Sequence, residues 1–152
     1  MMMVDSNVII YAELGASQWR PMALRALADV MARPEPPWLS RQVLRECLAA
    51  LTRPQQGVNP PPLNDVLQRL RLYEQTFQVA EDSAEVTRRL YDLVARIPVG
   101  GKQIHDANLV ATMLAHGIGS LLTHNAEDFE RFESLIEVVP LSAWAEPAAG
   151  EA

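Results

Sequence analysis

Apolar and polar positions along the chain follow two periods, and together they predict short strands alternating with helices. Met2-Met3-Val4 is an apolar run that stops at Asp5, and Val8-Ile9-Ile10-Tyr11 follows. This predicts a buried strand, a polar turn over Asp5-Ser6-Asn7 and then a helical turn. Ser17 and Pro21 mark a helix start, with Leu24, Leu27, Val30 and Met31 at helical spacing before Pro34, Pro36 and Pro37 end it. Trp38-Leu39 is a minimal strand, and Ser40 is placed to cap a helix over Arg41–Thr52. A proline-rich loop from Pro54 to Pro62 precedes a helix carrying Leu63, Val66, Leu67, Leu70 and Tyr73 on one face.

The second half repeats the pattern. Phe77-Gln78-Val79-Ala80 reads as a strand, and Ser83 as the cap of a helix with Val86, Leu90, Leu93, Val94 and Ile97 in phase. Pro98-Val99-Gly100-Gly101 breaks that helix. Asp106–Ala115 is a strongly apolar helix, closed by Gly117 where a left-handed residue belongs. Ser120–Thr123 is a strand, Glu127–Phe132 a short helix and Ile136–Pro140 a last strand. The fold class predicted is α/β, with a short, mostly parallel central sheet flanked by α-helices. At 152 residues the chain makes one domain, taken as 1–145, with a loose tail over 146–152.

Composition narrows the function classes. Hydrophobic residues at 49% and charged residues at 21% exclude bulk disorder. The single cysteine, Cys47, excludes an internal disulfide and a cysteine-built zinc cage, and is expected in the core. A reducing, cytoplasmic setting is expected. The N-terminus has no basic region or long apolar stretch of a signal peptide, and no run of about 18 apolar residues exists to span a membrane. His105, His116 and His124 share no metal-ligand spacing. The net charge of −6 disfavours a bulk-basic nucleic-acid binder. It leaves room for a nucleic-acid enzyme whose positive charge comes from a metal ion. Twelve of the 13 basic residues are arginines.

In a parallel sheet, function gathers beyond the carboxyl ends of the strands. Asp5 ends the first strand, Glu46 lies in the helix after Trp38-Leu39, Asp106 opens its helix, and Asn125 and Asp128 follow Ser120–Thr123. Carboxylates brought together there repel one another, and Mg²⁺ or Mn²⁺ relieves that repulsion because hard cations take oxygen ligands. Such an ion polarises a phosphoryl group and lowers the pKa of a bound water. Each acid has a structural alternative. Asp5 and Asp106 also suit a helix cap or first turn. Glu46 lies roughly 130° from the centre of a face formed by Val43, Leu44, Cys47, Leu48 and Leu51, which fits a cleft rim or open solvent. Asn125 and Asp128 also suit a strand end and a helix cap. Periodicity does not choose between these readings. Phosphate-binding glycine loops and the serine-hydrolase elbow are absent. Lys102, the only lysine, is badly placed for a receiver domain, and Asn7 excludes a D-x-D phosphatase at Asp5.

Four motifs carry a resemblance. V-D-S-N-V-I-I-Y at 4–11 resembles the opening of PIN-domain ribonucleases, and L-S-R-Q-V-L-R-E-C at 39–47 is similar to their second motif, a capped helix with one glutamate. I-H-D-A-N-L-V-A-T-M-L-A-H-G at 104–117 resembles the third, and L-L-T-H-N-A-E-D-F at 121–129 the fourth. The four stand in order over nearly the whole chain, whose size matches the VapC-like toxins of type II toxin–antitoxin systems. The resemblance implies a PIN-like fold and a metal-dependent endoribonuclease acting on RNA. Its catalytic residues would be Asp5, Glu46, Asp106 and Asp128, with Asp5, Glu46 and Asp106 on Mg²⁺ (or Mn²⁺). Asn7, Thr123 and Asn125 would support the site, Asn125 standing where many relatives carry Asp. It further implies a cognate antitoxin that blocks the cleft and a homodimer. The alternatives are a housekeeping PIN nuclease and a non-catalytic PIN-like binding protein. Arg20, Arg41, Arg45 and Arg53, near the first two motifs, are candidate RNA-phosphate contacts. The antitoxin is expected to bury apolar side chains between the helices flanking Pro54–Pro62.

Overall fold

A computed structural model describes residues 1–55 and 57–147. Five strands form one sheet: β1 (Met2–Val4), β2 (Trp38–Ser40), β3 (Gln78–Ala80), β4 (Ser120–Thr123) and β5 (Glu137–Pro140). Their order is β3-β2-β1-β4-β5, and every pairing is parallel. Parallel neighbours need crossovers, and the first three are helix pairs: α1 (Ser6–Glu13) with α2 (Arg20–Met31), α3 (Arg41–Thr52) with α4 (Leu63–Thr76), and α5 (Ala84–Arg96) with α6 (Gln103–His116). A 3-10 segment, Ala126–Phe132, joins β4 to β5. β1 is wholly apolar, and the polar residues of the other strands stand at their ends, because helices cover the middle of the sheet. Met3, Val4, Leu39, Leu121 and Leu122 are fully buried at its centre.

The strand order reverses at β1, with β2 on one side and β4 on the other. In a doubly wound sheet this switch point opens a crevice beyond the strand ends. Val4 sits opposite Leu122, and the Asp5 N–H still donates to the Leu122 carbonyl at 2.9 Å. Asp5 is therefore fixed in sheet register at the lip of the crevice.

Local chemistry sets the helix starts. Ser40 Oγ accepts from the Val43 N–H at 3.1 Å and caps α3, whose Val43, Cys47 and Leu51 then fall on one buried stripe. Ser40 is itself buried, so Ser40→Ala removes a partner that water cannot replace. It should cost about 1–2 kcal/mol of stability, read as a lowered urea midpoint with an unchanged slope. α6 ends at Gly117, whose φ of 67° lets the Ile118 N–H reach back to the Met113 carbonyl at 2.9 Å.

Several boundaries differ from those expected. The polar turn predicted at Asp5-Ser6-Asn7 is already the cap and first turn of α1, because the Asp5 carboxylate accepts from the Ser6 N–H. α2 starts at Arg20; Ser17 instead shapes the preceding turn, its Oγ accepting from the Trp19 N–H at 3.2 Å. α6 starts at Gln103 and not Asp106. The carbonyls of Gly100, Gly101 and Lys102 accept the N–H groups of Gln103, Ile104 and His105, which moves Asp106 into the first turn. Ser83 stands at the cap of α5 but makes no side-chain cap bond. The short helix expected at Glu127–Phe132 is 3-10, and Leu141–Trp144 forms another 3-10 turn that periodicity does not reveal. Of the expected tail, Glu146 accepts from Arg25 Nη1 at 3.0 Å, and 148–152 lie outside the described residues. Among the described residues, no helix is long and apolar enough to cross a membrane.

Candidate active site

The crevice at the switch point is built around Asp5. Its Oδ2 accepts from Thr123 Oγ1 at 2.7 Å and from Asn7 Nδ2 at 3.3 Å, and its Oδ1 from the Ser6 N–H at 2.8 Å. Thr123, the last residue of β4, is fully buried; its Oγ1 also accepts from Asn7 Nδ2 at 3.2 Å and the Asn125 N–H at 3.1 Å. Asn7 Oδ1 accepts from the His124 N–H at 3.0 Å, so one amide ties α1 to the chain leaving β4. These bonds fix the orientation of the buried Asp5 carboxylate.

Glu46 reaches the same edge from α3. Ser6 Oγ donates to its Oε2 at 2.7 Å, and Gln42 Nε2 donates to its Oε1 at 2.8 Å. Gln42 also donates to the His105 carbonyl and accepts from Asn108 Nδ2, both at 2.8 Å. That second pair binds α3 to the start of α6, where Asp106 stands. Each Glu46 oxygen keeps a free lone pair for a further partner.

The electrostatics show which acids share the crevice. Burial pushes the Asp5 carboxyl up to about 6; the Thr123 and Ser6 hydrogen bonds oppose this, and the charges of Glu46 and Asp106 add to it. Asp106, half-buried, is also raised to about 6, first by desolvation and then by the negative charges of Asp128 and Glu46, with Arg131 and His105 opposing. Asp106 therefore shares the crevice with Asp5 and Glu46, and feels Asp128 from its other side. Two carboxylates held this high by burial and like charge are the signature of a site short of positive charge.

Asp5, Glu46, Asn7 and Thr123 form one hydrogen-bonded cluster. Asp106 faces it electrostatically, and Asp128, exposed on the 3-10 segment, faces Asp106. Asn125 is exposed and reaches the cluster through its backbone N–H. The Asp5 carboxylate caps α1, as one of its two readings has it, and is buried in the crevice. Asp106 is a first-turn residue and no cap.

Three contributors were not foreseen: Ser6, Gln42 and Asn108. Gln42 and Glu46 are four apart, a spacing that meets on a helix face, so Gln42 was legible; the pairings across α1, α3 and α6 were not. Of the candidate arginines, Arg41 pairs with Glu74 and Glu81 and Arg45 with Asp82, while Arg20 Nε donates to the Ala12 carbonyl. Arg53 forms no ion pair among the described residues. Cys47 is core: its thiol contacts the Ser6 carbonyl at 3.8 Å, and burial pushes its pKa up.

The model of the PIN domain matches residues 2–135. The chain belongs to the PIN domain family. Solved structures share this PIN fold. A chain of a toxin–antitoxin complex from Klebsiella pneumoniae superposes with a TM-score of 0.66 at 23% identity, covering 93% of this chain and 98% of that one. A chain of VapBC2 from Rickettsia felis, bound to a DNA fragment from their promoter, gives 0.67 at 17% identity, with coverages of 91% and 97%. VapC20 of Mycobacterium tuberculosis, described as a Sarcin-Ricin loop cleaving toxin, gives 0.61 at 18%, with coverages of 80% and 87%. No curated protein matches the chain. The PIN family is the one the motifs imply, and the α/β class with a mostly parallel sheet is the one the periodicity predicts; the sheet is parallel throughout.

The donor set suits a hard divalent cation in kind, being carboxylate oxygens at an edge of excess negative charge. Among the described residues, no three His, Cys, Asp or Glu side chains already converge closely enough to enclose an ion. An ion held here would rest on a few carboxylates with water and phosphate oxygens, the usual habit of Mg²⁺.

Proposed function

We propose that this PIN domain, taken as residues 1–145, is a divalent-metal-dependent endoribonuclease and the toxin of a type II toxin–antitoxin pair, working in the cytoplasm. The observation that carries the reading is the crevice itself. Asp5, just past the end of β1, and Asp106, in the first turn of α6, are both raised to about 6 at an edge that Glu46 and Asp128 make still more negative. The kinship of the fold to toxin structures supports the toxin half.

Asp5, Glu46 and Asp106 would hold Mg²⁺ or Mn²⁺, with Asp128 as the outer acid. When bound, the ion supplies a Lewis acid for the phosphoryl oxygens and lowers the pKa of the attacking water. The chain's own groups prepare that chemistry. Thr123 and Asn7 aim Asp5, and Ser6 and Gln42 aim Glu46, so neither carboxylate must reorganise when substrate arrives. Asp128, exposed on the 3-10 segment, would accept a proton through water.

The partners in this reading are RNA, a second copy of the chain and an antitoxin. α3 and α4 pack together and leave a cavity of only about 200 Å³ between them. The broader apolar groove lies between α2 and α4, about 310 Å³, where Leu24, Met31 and Leu72 are exposed. That groove, more than the α3–α4 seam, suits the apolar side chains of an antitoxin.

The test is cleavage of single-stranded RNA by the purified protein. Cleavage is expected with Mg²⁺ or Mn²⁺ and none in EDTA, with activity restored on adding the metal back. Equal cleavage in EDTA would remove the metal from the reading, and no cleavage with either ion would remove the nuclease.

A further inference from the structure

A groove of about 730 Å³ runs beside the acid crevice, between the α1–α2 turn and the proline-rich loop. The chemistry above makes no use of it. Tyr11, Trp19, Arg53 and Pro60 line it. Its size is that of a pocket for a nucleotide-sized ligand.

Three features define what fits. The first is aromatic. The His124 ring meets the Tyr11 ring edge-on at 5.2 Å between centroids and the Trp19 ring at 4.7 Å. His124 directly follows Thr123, the residue that holds Asp5, so the ring cluster is continuous with the acids. Tyr11 feels the Asp5 charge, although burial contributes more to its raised pKa. The second is charge. Arg53 is the only cationic side chain among the described lining residues, and it has no carboxylate partner there. The third is the neutralisation of the groove's own acid. Glu13 accepts from Arg69 at 2.9 and 3.1 Å and from the Tyr73 hydroxyl at 2.7 Å. Its charge is thus spent on the far wall and does not repel a polyanion.

Aromatic rings beside an unpaired arginine bind single-stranded nucleic acid through its bases, since every base offers a π-face. We propose that this groove is a base-stacking subsite: it takes one unpaired nucleobase beside the scissile phosphate, stacked among Tyr11 and Trp19, with Arg53 on the adjoining phosphate. The inference rests on the ribonuclease reading. It explains how an acidic protein holds RNA: stacking supplies affinity that net charge does not.

The probe is a short unstructured RNA oligonucleotide and its derivatives with one abasic position beside the cut. Trp19→Ala should raise KM roughly tenfold, with kcat within about threefold of wild type. Trp19→Phe should recover most of the loss, because a ring remains. Arg53→Ala should raise KM and flatten its salt dependence. One abasic derivative should lose a similar factor with the wild-type protein and nothing more with Trp19→Ala.

An unchanged KM in Trp19→Ala would overturn the subsite, as would abasic and Trp19 penalties that multiply. So would a Trp19→Ala protein that loses a protein partner while its RNA KM stands, since the groove would then seat protein. The nuclease reading fails separately. If the wild type binds the oligonucleotide in EDTA but cleaves it with neither Mg²⁺ nor Mn²⁺, that reading is wrong. The same variants and abasic RNAs then decide the subsite by binding anisotropy alone.

Discussion

Asp106→Asn should leave a folded protein whose Mg²⁺-dependent RNA cleavage is lower by at least about a hundredfold. Loss of a group that merely supports a metal ligand costs about 10–100-fold, and Asp106 is proposed to touch the ion itself. Removal of its charge relieves repulsion from Asp128 and Glu46, so metal-free stability should rise at neutral pH. That pairing of lost activity with retained or increased stability separates a site acid from a structural one. Asp5 is a less clean choice. Asp5→Ala also removes the acceptor for Ser6, Thr123 and Asn7, and a lost cap costs about 0.5–2 kcal/mol. Initial rates with a thermal melt on the same sample test the pair. Cleavage by Asp106→Asn within about threefold of wild type would show that Asp106 holds no ion.

Stability without metal should fall as pH rises through 6, opposite to the usual behaviour of paired carboxylates. Asp5 and Asp106 start from an ordinary value of 3.8 and are raised to about 6 in the fold. The folded state therefore binds their protons more tightly than the unfolded chain. Their stabilising contribution is complete below pH 3.8 and is lost as pH climbs past 6. For buried Asp5 the loss is about 3 kcal/mol at order of magnitude; half-exposed Asp106 adds less, because water screens it. About half of that is lost above pH 5, which for a chain of this length is a fall in Tm of a few degrees between roughly pH 5 and pH 8. Mg²⁺ should cancel most of the fall at pH 8 and do little at pH 5, since protonated carboxyls do not bind it. Melts across pH with Mg²⁺ or EDTA check this, and a flat EDTA profile would mean that burial and like charge do not raise these two carboxyls in solution.

Legibility from sequence followed the range of the interactions. The strands, the Ser40 cap and the Gly117 stop were readable because each rests on neighbours within a few residues. The start of α6 was misplaced because Asp106 looks like a cap, while the turn at Gly100-Gly101 had already begun the helix. The acids at strand ends were nominated by topology alone, and the four motifs then singled out Asp5, Glu46 and Asp106. What no local pattern carries is the stitching. Ser6 reaches Glu46 across 40 residues, Gln42 meets Asn108 across 66, and Asn7 meets Thr123 across 116. Only the folded sheet brings such pairs together, so they fall outside any periodicity.

The lone cysteine gives the molecule a clock. Cys47 lies on the buried stripe of α3 with its sulfur against the Ser6 carbonyl, directly under the residues that join Asp5 to Glu46. A thiol reagent reaches it only when α1 and α3 part, and there is no second thiol to confuse the signal. The rate of labelling thus measures how often the floor of the crevice opens, a local event whose free energy is distinct from that of global unfolding. A ligand that clamps the acids from above would slow that clock without touching the sulfur.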